Sequence, residues 1–207
     1  LQTGPTLPVS GGFIAQSVKT GWAVGGGGKT LFFNPAGDAA WVVDLGLMYQ
    51  YNEGSGDRAI PFIVSLATDN NPNALGLATV RGLSRVSGSI GLGRDWFVLG
   101  PAYNGACNTR NLRYGFDTDF RYGSARLDMN ILGADGRPSG GYLKAGSIFA
   151  SAVIGTHADL QIPFGGVMWE SGVRVEWGYT WTHLLRFPNR SSDITDVNIL
   201  LRTGLRF

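Results

Sequence analysis

The stretch Ile194-Thr-Asp-Val-Asn-Ile-Leu-Leu-Arg-Thr-Gly-Leu-Arg-Phe207 decides the fold class. Val197, Ile199, Leu201, Leu205 and Phe207 fall in one phase, and Asp196, Asn198, Arg202, Gly204 and Arg206 fall in the other. Successive side chains of a strand point to opposite faces, so this is one strand with an oily face and a charged face. A soluble sheet buries the oily face in a dry core, whereas a membrane barrel turns it to lipid and keeps the polar face for its lumen.

The same alternation recurs upstream. Trp41, Val43, Leu45, Leu47, Tyr49 and Tyr51 alternate with Val42, Asp44, Gly46, Met48, Gln50 and Asn52. Val167, Trp169, Val173, Val175, Trp177, Tyr179 and Trp181 oppose Glu170, Gly172, Arg174, Glu176, Gly178 and Thr180, with Ser171 the one interruption. Trp41 and Tyr49 share a spacing with Trp169 and Trp177, about 20 Å along the axis of a strand tilted by about 40°. Two girdles of interfacial aromatics, drawn from Trp41, Tyr49, Tyr51, Trp169, Trp177, Tyr179 and Trp181, fit that distance. Less regular strands lie over Trp22 to Phe33, Val86 to Leu92, Leu112 to Tyr122 and Ile148 to Ile162. Near Gly123 the apolar set changes phase to Ala125, Leu127 and Met129, which a bulge or emergence above a membrane would explain.

Alternating apolar residues ending on a C-terminal Phe, as Val197, Ile199, Leu201, Leu205 and Phe207 do, resemble the last strand of bacterial outer-membrane β-barrel proteins. The resemblance implies a location in the bacterial outer membrane and a partner, the barrel-assembly machinery, that reads the strand ending at Phe207. The glycine- and tryptophan-rich style is also similar to uncharacterised barrels of planctomycete-type bacteria. We therefore expect residues 1–207 to form one all-β domain, an antiparallel up-and-down transmembrane barrel. Seven strands are legible, and single-chain barrels have an even number. The eighth is sought at Gly12 to Lys19, leading into the next strand through a turn near Thr20-Gly21. Ten strands result if residues 53–78 add a hairpin.

Connections differ in kind. Asn34-Pro-Ala-Gly-Asp38 and Pro163-Phe-Gly-Gly166 are short, as periplasmic turns are, and Glu53 to Ala78, Gly133 to Gly141 and Phe187 to Asp193 are assigned to the outer face. Ala59-Ile-Pro-Phe-Ile-Val-Ser-Leu-Ala67 is too apolar to stand in solvent, and Asp69-Asn-Asn-Pro-Asn73 turns it. It is read as a cap over the barrel mouth, or else as a contact surface for a homo-oligomer or an extracellular partner.

Composition removes several function classes. No apolar run approaches the length of a spanning helix. Seventeen basic against fifteen acidic residues give no field that would draw nucleic acid. Cys107, the sole cysteine, allows neither an internal disulfide nor a cysteine-rich metal site. The chain opens at Leu1 without an export signal, as a processed or trimmed product would.

Candidate chemistry centres on the inward charges. Asp44, Asp117, Asp119, Asp159, Glu170, Glu176 and Asp196 balance Arg81, Arg85, Arg113, Arg121, Arg174, Arg202 and Arg206. In a barrel of eight strands, side chains fill the lumen, so these groups are expected to form an ion-pair network and the protein to be a structural or anchoring surface protein. A small diffusion pore lined by the same charges is the alternative, and a soluble β-sandwich is a further one. Ala23-Val-Gly-Gly-Gly-Gly-Lys-Thr30 has the spacing of a phosphate-binding loop, but Leu31-Phe-Phe-Asn-Pro35 follows where a helix would have to begin, so the glycines are read as packed in a strand. His157 and His183 lack well-spaced carboxylates, so no metal or other cofactor is expected. His183 with Ser191, Ser192 and Asp193 would suit a rim hydrolase if they met. Asn189-Arg-Ser191 has the form of a glycosylation acceptor, a chemistry mostly foreign to that membrane.

Overall fold

A computed structural model describes residues 1–64, 74–99, 110–164, 166–184 and 192–207. The strands are β1 (Gln2–Gly11), β2 (Val18–Phe33), β3 (Ala39–Gly54), β4 (Ala59–Val64), β5 (Ala74–Phe97), β6 (Asn111–Leu132), β7 (Pro138–Phe164), β8 (Val167–Thr182) and β9 (Ile194–Arg206). Neighbours run in the order β3-β2-β1-β9-β8-β7-β6-β5, all antiparallel, and β3 also pairs with β5 from Ala39↔Trp96 to Glu53↔Gly82. Eight strands thus close a ring. β4 pairs only with β5 and stands outside that closure.

The stagger of the ring can be read by walking its register. From Arg113 the partners run Asp159, Gly172, Arg202, Gln2, Gly25, Met48, Ser87 and then Gly123, which lies ten residues further along β6. Ten residues of stagger over eight strands correspond to a tilt of about 40°. Such a barrel has an interior that side chains can fill.

Both ends of the chain, the Asn34–Asp38 turn and the β7–β8 turn lie at one end of the barrel, here the termini end. The β3–β4, β6–β7 and β8–β9 connections lie at the other, the far end. The connections assigned to the outer face thus lie opposite the two short turns, but length does not separate the ends: Gly133–Arg137 is itself a tight hairpin with Pro138 to Gly141 inside β7, and the longer connection from Phe97 to Asn111 lies with the termini. Two hairpins are built alike: Gly37 and Gly136 take φ of 72° and 75°, a region that favours glycine, and donate to Asn34 O and Gly133 O at 3.0 Å each.

The first strand is not where alternation suggested. Gly12 to Lys19 is a bend and a single 3-10 turn (Ala15–Ser17) followed by the start of β2, and Thr20-Gly21 lies inside β2. The missing strand is β1, in which Gly4, Pro5 and Pro8 erase the pattern. Prolines cannot donate to a ladder and gather at bulges, and β1 has a register shift between Pro8 and Ser10.

Gly123 brings a second correction. The register of β5 with β6 runs unbroken from Ser84↔Arg126 to Gly88↔Tyr122, so no bulge occurs there. The inward set simply continues from Arg113, Asp117, Asp119 and Arg121 to Ala125, Leu127 and Met129, all buried. What changes is the chemistry of each face. On the termini side the inside is charged and the outside is Tyr114, Phe116, Phe120 and Tyr122; on the far side the inside is apolar and Ser124 and Arg126 are outside. A Cβ at Gly123 would run into the carbonyl of Val86, so only glycine lets the strands close up at this crossover.

The apolar interior at the far end is one cluster. It joins Ile14 and Val18 with Leu83, Leu127, Met129, Phe149, Leu184 and Ile194, and it takes in Ile60 and Phe62 of β4. Of the 53–78 segment, Ile60 and Phe62 pack into the barrel mouth, Glu53–Gly54 and Ala74–Ala78 belong to β3 and β5, and the Asp69–Asn73 turn lies outside the described residues.

One stretch of wall is thin. β1 pairs with β2 only as far as Gly25, and Leu1 closes the ladder on Thr203. Beyond these, Gly26–Lys29 of β2 and Gly204–Phe207 face a shared slot of about 330 Å³ that reaches inward to Lys29 and Asp44.

A buried charge network as the candidate functional site

Alternation on four consecutive strands builds the network. Inward positions of β6 supply Arg113, Asp117, Asp119 and Arg121; β7 supplies His157, Asp159 and Gln161; β8 supplies Glu170, Arg174 and Glu176; β9 supplies Asp196, Asn198 and Arg202. Register sets the pairs, because Arg113 lies opposite Asp159, Gln161 opposite Glu170, and Glu176 opposite Asn198.

From the termini end inward, Gln161 Nε2 donates to Glu170 Oε1 at 2.6 Å. Arg113 Nη2 meets Asp159 Oδ2 at 2.7 Å and Glu170 Oε2 at 2.8 Å, while its Nε lies 3.5 Å from Asp95 Oδ2. Arg202 adds a second cation to Asp159 at 3.3 Å. Arg174 then holds Asp117, Asp119 at 2.7 Å and Glu176 at 3.0 Å, and Arg121 holds Glu176 at 2.7 Å and Asp119 at 3.2 Å. Asn198 links Glu176 to Gln50, donating to the first at 3.1 Å and accepting from the second at 3.2 Å. Arg85 closes the column on Asp196, below the apolar cluster.

Asp117, Asp119, Asp159 and Glu176 are each shared between two cations, which is how a desolvated charge is held without a compensating counter-ion from solvent. Removing a partner from such a set costs about 3–5 kcal/mol, because the remaining charge stays buried and unpaired. Low local dielectric stiffens the connected bonds. The column is therefore a rigid strut across the barrel.

Most of the expected network is present, with three departures. Arg81 points outward over the Tyr142 ring, 4.9 Å from its centroid, because a register shift between Val80 and Gly82 turns it. Asp44 is buried at 6% exposure yet makes no ion pair within 4.0 Å among the described residues, and its Oδ2 has no hydrogen-bond partner. Arg206 is half-buried at the slot, with its guanidinium 6.0 Å from the Phe97 ring centroid.

Three members were missed. Asp95 is fully buried beside Arg113 and His157; the strand was read as ending at Leu92, although Gly93 and Asp95 continue its inward phase to Phe97. Lys29 sits 3.9 Å from Asp117, obscured by the glycine run before it. Gly25 to Gly28 lie inside β2 with no helix after them, and a Cβ at Gly25 or Gly27 would strike the backbone of β3, the packing expected of these glycines. His157, expected to lack well-spaced carboxylates, points inward and is surrounded by them. Its ring lies 3.2 Å from Asp95, 3.4 Å from Asp117 and 3.8 Å from Asp159.

The outside is the reverse. Leu47 is 70% exposed, Trp41 58%, Trp177 49% and Ile199 43%, and such residues circle the ring. Trp41, Tyr49, Tyr51, Trp169, Trp177 and Trp181 are all exposed, and Tyr179 is half-buried. Trp22 and Trp169 satisfy their ring N–H on Thr3 at 2.8 Å and Thr203 at 2.9 Å of the adjoining strands. Trp96 stacks on Tyr114 with centroids 5.5 Å apart.

At the far rim, Asp193 accepts from Tyr179 at 2.8 Å and from the Thr182 amide at 3.2 Å, and Ser192 donates to the Thr182 carbonyl. Their polar atoms fasten the ends of β8 and β9, and His183 stands exposed beside them. Ser191, Asn189 and Cys107 lie outside the described residues. Among those described, no three His, Cys, Asp or Glu side chains are arranged to hold a metal ion. No family model, no curated protein and no solved structure matches this chain.

Proposed function

We propose that the chain is a transmembrane barrel of the bacterial outer membrane, acting as a structural and anchoring surface protein whose lumen is filled by its own ion pairs. The observation that carries this reading is the exchange of faces along β6: greasy outside and charged inside up to Tyr122, then polar outside and apolar inside from Ser124. A protein in a single solvent has no reason to invert its walls part-way along a strand. A protein crossing from hydrocarbon to water does. The band from Trp41 to Tyr51 is about 25 Å tall at a tilt of about 40°, the height of an apolar belt in this class of barrel.

The network and the far-end cluster favour a plug over a pore. Charges tied to one another leave no wet file of side chains, and Leu83, Leu127, Phe149 and Ile194 occupy the lumen beyond them. Phe207, 94% exposed at the tip of β9, is available to assembly machinery. The face beyond the belt, including β4, is where an extracellular partner or a second copy would touch.

Two measurements test this. After alkaline carbonate washing, the chain should remain with the membrane fraction and leave only with detergent; recovery in the wash would overturn the reading. In planar bilayers the purified barrel should give no steady conductance, whereas discrete channel openings would replace the plug by the pore.

A further inference from the structure

Just beyond the far edge of the apolar band, the outer wall carries a groove of about 820 Å³ over β3, β5, β6 and β7, with Lys19 of β2 at its side. Four cationic side chains line it, Lys19, Arg81, Arg126 and Lys144, against two acidic ones, Glu53 and Asp128. Arg126 is matched by Asp128 at 3.1 Å, while Lys19 and Lys144 make no ion pair among the described residues. The groove is therefore cationic where it meets the belt.

Its shape comes from a local departure in the ladder. Between Val80 and Gly82 the register of β5 slips, so Arg81 and Gly82 both face outward between inward Val80 and Leu83. Bulges commonly re-aim a side chain in this way. Arg81 is then held over the Tyr142 ring, and Gly82 leaves room for Tyr51, whose Oη would lie 2.7 Å from a Cβ at that position. A guanidinium held on an aromatic face has little freedom left to lose on binding, and its N–H fork suits phosphate oxygens.

We propose that this groove binds a terminal phosphate group, as carried by an anionic lipid headgroup at the membrane surface or by free phosphate. The lipid source rests on the membrane reading above; the phosphate chemistry of the groove does not. A headgroup at the belt edge would place its phosphate beside Arg81 and Lys144 and its chains along the apolar wall below. Each cation near such a surface contributes about 1 kcal/mol of attraction.

The test is native mass spectrometry of the full chain in neutral detergent, with short-chain phosphatidic acid, phosphatidylcholine and inorganic phosphate as probes. Wild type should retain phosphatidic acid over phosphatidylcholine. The double variant Arg81→Gln/Lys144→Gln should bind phosphatidic acid about thirtyfold more weakly. Arg94→Gln, which removes an outward cation near the opposite end of the band, should bind as wild type does. Because all three side chains lie on the outer wall, an unchanged thermal transition will accompany these results. Displacement of phosphatidic acid by millimolar inorganic phosphate would assign the site to the free ion, and retention would assign it to the lipid. Equal binding of both lipids, wild-type affinity in the double variant, or an equal loss in Arg94→Gln would each overturn the proposal. A chain that washes off membranes yet still selects phosphatidic acid would sink the membrane reading and leave the groove standing.

Discussion

β6 is two strands in chemistry and one in geometry. From Arg113 to Arg121 it presents cations and carboxylates to the lumen and Tyr114, Phe116 and Phe120 to the outside; from Ala125 to Met129 it presents methyls to the lumen and Arg126 to the outside. Backbone pairing does not notice the change, since the register with β5 and β7 runs through it. The lesson is that a strand's phase says which residues share a face, and only its surroundings say which face is the inside. In water, burial of apolar area at about 25 cal/mol per Å² pulls methyls inward, which is the arrangement of the far end. Against hydrocarbon, the setting we propose for the wall below Gly123, that drive vanishes for outward residues and the polar groups must be enclosed.

The contrast can be broken in order of cost. Arg113→Ala should be the most damaging change, lowering stability by about 3–5 kcal/mol in detergent-micelle urea titration, because buried Asp95 and partly buried Glu170 would lose their arginine and Asp159 would keep only Arg202. Leu127→Ala, fully buried on the same strand but beyond the crossover, should cost about 2–5 kcal/mol through a cavity, with no dependence on salt or lipid. Leu47→Arg should cost about 2–4 kcal/mol when unfolding is measured from bilayers, since Leu47 is exposed on the apolar outer band that we propose faces lipid. Ser124→Arg, outward but past the crossover, should stay within about 0.5 kcal/mol of wild type in the same assay. Equal penalties for Leu47→Arg and Ser124→Arg would erase the distinction between the two regions.

Much of this was legible before any coordinates. β3, β8 and β9 alternate cleanly because each lies within the belt for most of its length, so a single in/out rule governs them. That rule placed Asp117, Asp119, Arg174 and Glu176 together correctly. It failed where a second influence acted on the chain. β1 is a strand because β2 and β9 flank it, while Pro5 and Pro8 hide its pattern. Arg81 obeys alternation only up to a bulge that nothing in its neighbours announces. At Gly123 alternation alone leaves a bulge and emergence above a membrane both open, and only the unbroken register with β5 removes the bulge. Asp95 was within reach, two residues past a strand end placed too early.

The most direct test places one nitroxide at a time, on Leu47→Cys and on Arg126→Cys in a Cys107→Ser background, in protein reconstituted into bilayers. Relaxation of the label at position 47 should be driven by oxygen, which concentrates in hydrocarbon, and that at 126 by a water-soluble nickel chelate. If the chelate reaches position 47 as readily as 126, the outer wall below Gly123 faces water and the account is wrong.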